Sequence, residues 1–179
     1  MHAPMYDTPE AKRLLKRIRL WMAAFLVGLV LSGVTAFPLV WEIKLLASLF
    51  GLPPDADPAS YAGMRAWIAL VQQGVVQSDA KWPFLAYGTD WLAFGHLSIA
   101  IFFGGVLLDP VRNIYTLRAG LAVAVLVLPL AFLCGPIRGI PFFHQLIDCA
   151  FGVAALLPLG ICLHLTRRIE ALHTAKTVV

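Results

Sequence analysis

The sequence predicts an all-α membrane protein, a four-transmembrane-helix bundle with an outer interfacial helical segment between the first and second spans. Three observations carry that prediction. Apolar residues make up 60% of the chain and charged residues 13%, whereas soluble domains are nearer half apolar and a quarter charged. Mean hydropathy is +0.80. The apolar residues also gather into four stretches, each about as long as a bilayer crossing requires. A soluble fold of 179 residues could not hide that much apolar surface, because much of any small domain stays exposed. The whole chain, 1–179, reads as one integral membrane domain.

The first span is placed at about 20–40. It is free of charge and follows a basic flank of Lys12, Arg13, Lys16, Arg17 and Arg19. The second, about 91–108, has His96 as its one ionisable interior residue. The third, about 114–133, is interrupted only by Arg118. The fourth, about 141–165, carries His144 and Asp148 early, and Pro141 suits its first turn, where a missing N–H is harmless. Pro129 and Pro158 fall inside spans, where each removes a helix hydrogen bond.

Lys and Arg in short flanks set orientation. They are dense in the N-terminal flank, in the turn with Arg112 and Arg118, and in the tail with Arg167, Arg168 and Lys176. Lys44, Arg65, Lys81 and Arg138, on the other side, are spread over a longer stretch. This predicts a multi-pass protein of the bacterial inner membrane with both termini cytoplasmic. A cleavable secretory signal over residues 1–36, ending at Ala36, is the rival for the first stretch. The net charge of +4 does not indicate nucleic acid, because the basic residues sit where membrane orientation places them. The bilayer is the expected partner, with other membrane subunits as further candidates.

Residues 42–88 form the outer segment. Trp41 to Phe50 has apolar residues at helical spacing, and Gly51-Leu52-Pro53-Pro54 breaks the chain. Asp57 before Pro58 is expected to cap a helix running to about Asp79, with Tyr61, Met64, Trp67, Ile68, Val71 and Val75 on its apolar side. Such a helix would lie on the membrane surface or cap the bundle. Small residues are expected where helices meet: Ala24, Gly28, Ser32 and Ala36 in the first span, Gly95, Gly104 and Gly105 in the second, and Gly152, Ala155 and Gly160 in the fourth. Cys134, Cys149 and Cys162 form no C-x-x-C pair and read as buried, inert thiols. No metal site is indicated.

Ionisable residues at membrane depth are costly and therefore candidates for function. Asp90, Arg138, Gln145 and Asp148 form a polar cluster in the outer half, with His96 and His144 beside it. His144 and Asp148 are four residues apart, on one helical face. The plain reading is structural: Asp90 caps its helix, and Asp148 is neutralised by Arg138 or His144. The leading functional reading is a binding, accessory or assembly subunit. One alternative is a haem b- or quinone-binding subunit using His96 and His144, with Asp148 as the outer partner of His144. Another is a small enzyme acting on a lipid or other anionic substrate, with His144 and Asp148 as an acid–base pair and Arg138 holding the anion. The segment Gly135-Pro136-Ile137-Arg138-Gly139-Ile140-Pro141 is the most distinctive string, its glycines expected to free the backbone around Arg138.

Overall fold

The computed structural model describes residues 5–177, with side chains to residue 175, so the side chain of Lys176 lies outside the described residues. Six α-helices follow one another: α1 (Pro9–Thr35), α2 (Leu39–Leu49), α3 (Gly63–Lys81), α4 (Tyr87–Leu108), α5 (Ile114–Ile137) and α6 (Phe142–Thr177). No strand occurs among the described residues. Four of the helices, α1, α4, α5 and α6, are long and apolar enough to cross a membrane.

The chain forms two compact units, one of Met1–Gly28 with Ile99–Val179 and one of Leu29–Ser98. In the first, four helices share one core: Leu14, Ile18 and Met22 from α1, Phe103 and Val106 from α4, Leu117 from α5, and Leu159, Cys162, Leu165 and Ile169 from α6. The Cys162 thiol donates to the Ile18 carbonyl at 3.6 Å, and the Phe25 and Phe103 rings meet edge-on at 5.0 Å. The outward faces are no less apolar: Ile101 and Phe102 are 77% and 74% exposed. In water such faces would aggregate, whereas lipid tails cover them at no cost. Cohesion must then come from close packing rather than from expelling water. The glycines show where. A Cβ on Gly120 would stand 2.5 Å from the Phe103 ring, and one on Gly152 would stand 2.7 Å from the Ala124 carbonyl oxygen.

The α4–α5 turn is closed by side chains. Asn113 Nδ2 donates to the carbonyls of Gly105, at 2.9 Å, and Asp109, at 2.8 Å. Each of these carbonyls also accepts a backbone N–H, Gly105 from Asp109 and Asp109 from Asn113, so the side chain adds a second bond to both. Gly105 is required because a Cβ there would stand 2.8 Å from Asn113 Oδ1. Arg19 Nε donates to the Leu107 carbonyl at 3.1 Å, tying α1 to the same helix end. Thr8 caps α1 by accepting from the Ala11 N–H at 3.0 Å, with Pro9 in the first turn.

The second unit contains a helical hairpin. Ile43 and Ala47 of α2 pack on Ile68 and Ala69 of α3, with Leu52 and Ala56 between. The end of α2 is a Schellman stop: Gly51 has φ +67°, its N–H reaches the Ser48 carbonyl, and the Leu52 N–H reaches the Ala47 carbonyl. Arg65 reinforces it, donating to the Gly51 carbonyl at 3.2 Å with its guanidinium over the Tyr61 ring. In this unit α1 and α4 cross closely at Gly33, whose added Cβ would meet the His96 Cβ at 2.9 Å.

Several boundaries differ from expectation. The first apolar stretch does not run as one helix to residue 40: α1 ends at Thr35, and Pro38, which cannot donate, starts α2. Asp57 does accept from the Ala59 N–H at 3.0 Å, but only for a 3₁₀ turn, Pro58–Ser60; α3 begins afresh at Gly63, at φ +57°. The third apolar helix runs to Ile137, one turn further than expected. Within the first span a close contact falls on Gly33, which is not one of the four residues of the Ala24, Gly28, Ser32 and Ala36 stripe, and nothing lies within 4 Å of a Cβ at Gly28, Gly95, Gly104 or Gly160. Cys134 is exposed, unlike the buried Cys149 and Cys162.

Candidate functional site

The polar residues of the α5–α6 hairpin are placed by backbone chemistry. Arg138 is the C-cap of α5, and Gly139, at φ +69°, supplies the left-handed residue after it. The Gly139 N–H reaches the Pro136 carbonyl and the Ile140 N–H reaches the Gly135 carbonyl, which is again a Schellman stop. Pro141 then accepts from the N–H groups of His144 and Gln145 and starts α6. The distinctive string is therefore a helix stop followed by a helix start. Its two glycines do different work: Gly139 makes the turn, and Gly135 makes room for Gln145, whose side chain would lie 2.6 Å from an added Cβ. Gln145 is buried and donates from Nε2 to the Ile140 carbonyl at 2.7 Å, pinning the hairpin.

That frame brings Arg138 and Asp148 to one hollow of about 260 Å³, whose wall includes Leu130, Ala131 and Cys134. The two charges share it without joining: Arg138 makes no ion pair among the described residues. Asp148 has His144 as its neighbour, Nε2 to Oδ1 at 3.8 Å, with the two side chains 38% and 45% exposed. The site thus offers a five-donor guanidinium, a carboxylate and an imidazole on an open surface. An anionic group could dock on Arg138 while His144 and Asp148 exchange a proton with it.

The other two candidates belong to the second unit. Asp90 stands in the first turn of α4, where the helix dipole favours a carboxylate. His96 is half-buried, and its Nδ1 lies 2.8 Å from the Leu92 carbonyl of its own helix. That contact fixes Nδ1 as the protonated nitrogen and leaves Nε2 as the one able to accept or ligate. No cluster of three or more His, Cys, Asp or Glu suited to a metal ion occurs among the described residues.

A second polar group, at the α4–α5 turn of the first unit, has no counterpart in the sequence reading. The Tyr6 hydroxyl donates to Asp109 Oδ1 at 2.6 Å, and Arg112 Nε approaches Asp109 Oδ2 at 3.4 Å. Burial, then the hydrogen bond and charge of Asp109, push the Tyr6 phenol well above its ordinary value. Burial alone would raise the Asp109 carboxyl too, but the Tyr6 hydroxyl, the Arg112 N–H and the Arg112 charge outweigh it and hold it below the usual carboxylate range. Arg168 and Glu10 pair at 3.0 Å in the same unit. The Asp-Pro-x-x-Asn string of residues 109–113 was a visible turn signal, but nothing local announced Tyr6, 103 residues away.

The chain matches no known protein family, no curated protein and no solved structure.

Proposed function

We propose that this chain is a bacterial inner-membrane protein, both termini cytoplasmic, that acts as a binding or accessory component through the outward end of its α5–α6 hairpin. The observation that carries this reading is that Arg138 and Asp148 line one open hollow without neutralising each other. The Asp148 side chain is 45% exposed and Arg138 is exposed, so neither charge is buried against the other and both stay accessible to a bound group. A guanidinium left open beside a carboxylate is suited to a ligand or partner that presents an anion. The test is a thermal-shift series on the detergent-purified protein with inorganic phosphate, phosphate monoesters and small dicarboxylates. At least one is expected to stabilise the protein, and Arg138→Gln should remove that shift. No shift with any of them, or one unchanged by Arg138→Gln, would sink the assignment.

A second reading is a small membrane enzyme acting on a lipid or other anionic substrate. It is favoured by the 3.8 Å contact between His144 and Asp148, since Asp148 also lines the hollow with Arg138. General acid–base work needs two such groups within reach of one substrate. It predicts that His144→Gln abolishes turnover of a lipid phosphate ester while leaving the phosphate-induced thermal shift in place. Absence of any turnover by the wild-type protein in mixed micelles leaves the binding role alone.

A further inference from the structure

The Leu29–Ser98 unit holds a cavity of about 690 Å³ at the junctions of α1 with α2 and of α3 with α4. That volume suits a small-molecule or lipid-headgroup site. Most of the wall is apolar, with Trp41, Val75 and Leu85 among its residues, but it also carries Lys44 and Asp79. These two are opposite in charge and neither has an ion-pair or hydrogen-bond partner among the described residues. They line one cavity while standing farther apart than a salt bridge. A site for an anionic lipid would gather several cations and exclude carboxylates. One cation and one carboxylate set apart complement a ligand that itself carries both signs. The aromatic side chains around the junctions are open: Trp41, Trp82 and Tyr87 are 64%, 45% and 61% exposed, and Lys81 lies over the Trp82 ring at 4.4 Å. Exposed Trp and Tyr of this kind favour the membrane–water boundary.

We propose that this cavity binds one zwitterionic aminophospholipid, with its phosphate on the Lys44 ammonium, its own ammonium on the Asp79 carboxylate, and the upper acyl chains along the apolar wall. This site is separate from the Arg138 hollow and does not depend on the role assigned there.

The test is native mass spectrometry of the full-length protein, delipidated in detergent and re-supplied with phosphatidylethanolamine or phosphatidylglycerol in micelles of equal lipid content. The wild-type protein should retain one phosphatidylethanolamine per chain, about tenfold better than phosphatidylglycerol, the factor that one charge-assisted hydrogen bond supplies. Asp79→Asn should erase the preference by weakening phosphatidylethanolamine alone. Lys44→Gln should weaken both lipids, since both present the phosphate. Glycerophosphoethanolamine, the headgroup without chains, should not displace the bound lipid. Equal retention of the two lipids by the wild-type protein, or a preference that survives Asp79→Asn, overturns the proposal. Displacement by the chainless headgroup overturns the acyl-chain part and leaves a soluble zwitterion as the ligand. Should Lys44→Gln fail to fold, Asp79→Asn decides alone, because it changes selectivity rather than overall retention.

Discussion

Replacing Gly152 by alanine tests whether the α5–α6 seam is what holds the first unit together. The added Cβ would stand 2.7 Å from the Ala124 carbonyl oxygen and 3.1 Å from Val127 Cβ. The first obstacle is backbone and cannot rotate away, so α5 must move outward. A separation of about 0.5–1 Å forfeits a quarter to a half of the dispersion well at each contact along the seam. Overpacking of this kind costs about 1–3 kcal/mol. Soluble domains of this length lose about 2–4 °C per kcal/mol, so the melting temperature should fall by roughly 2–12 °C. The control is Gly160→Ala on the same helix, where nothing lies within 4 Å of the new Cβ. There the better helix propensity of alanine is the main change, and the protein should be as stable or slightly more so. Thermal unfolding in detergent, followed by circular dichroism, reads both. If Gly152→Ala melts within a degree of Gly160→Ala, the helices do not meet at Gly152 as described and the reasoning fails.

The Tyr6–Asp109 contact predicts a pH profile. A phenol whose folded value is raised contributes stability present below about pH 10 and lost as pH climbs above it, whereas a carboxyl whose folded value is lowered contributes stability present above about pH 4 and lost below it. Tyr6→Phe should flatten the alkaline arm, shift the acid arm upward and cost roughly 1–2 kcal/mol near neutrality. That is the low end for a hydrogen bond to a charged group, because both side chains are partly exposed. A profile unchanged by Tyr6→Phe would show the contact to be energetically idle. The haem alternative is decided by the visible spectrum before and after dithionite. A Soret band with reduced α and β bands, abolished by His96→Ala and by His144→Ala, establishes it; a featureless spectrum from haem-fed cells removes it.

What was legible in the sequence was what depends on local composition. Uninterrupted apolar length marked α1, α4, α5 and α6, because a bilayer forces every backbone polar group into the helix and so leaves a long one-dimensional signal. The Gly51-Leu52-Pro53-Pro54 break was equally local, and it proved to hold the Schellman glycine. The Gly139-Ile140-Pro141 stop was just as readable, because glycine after a helix with proline two residues on is a C-terminal signature. It was read instead as freedom for Arg138. What could not be read were contacts between distant segments. Gly33 rather than Gly28 faces α4 because helix rotation decides which small residue meets a neighbour, and composition is silent on rotation. Gln145 looked like a member of the polar cluster, whereas its burial and its bond to the Ile140 carbonyl spend it on the hairpin. The hollow shared by Arg138 and Asp148 required knowing where α5 ends and how α6 returns beside it.

Asp148 poses the sharpest energetic question in the chain, and the lengths between charges answer it. It stands six residues past the start of α6 and is 45% exposed, which would be ruinous inside hydrocarbon. Yet eighteen residues separate Asp148 from Arg167 without a charge, about 27 Å of helix. Eighteen likewise separate Asp90 from Asp109 on α4, and nineteen separate Arg118 from Arg138 on α5. Each of these lengths alone nearly spans the hydrocarbon core of about 30 Å. The three helices therefore carry the same apolar ruler, and Asp90, Arg138 and Asp148 each mark its end rather than its interior. A carboxylate at the end of such an apolar length would be within reach of water and headgroups, and would not need Arg138 as a partner. That freedom is what makes the unpaired arrangement at the hollow affordable and open to a ligand. His96, six residues or about 9 Å past Asp90, is the one ionisable side chain well inside the α4 ruler. Its Nδ1 lies against the Leu92 carbonyl of its own helix, at 2.8 Å.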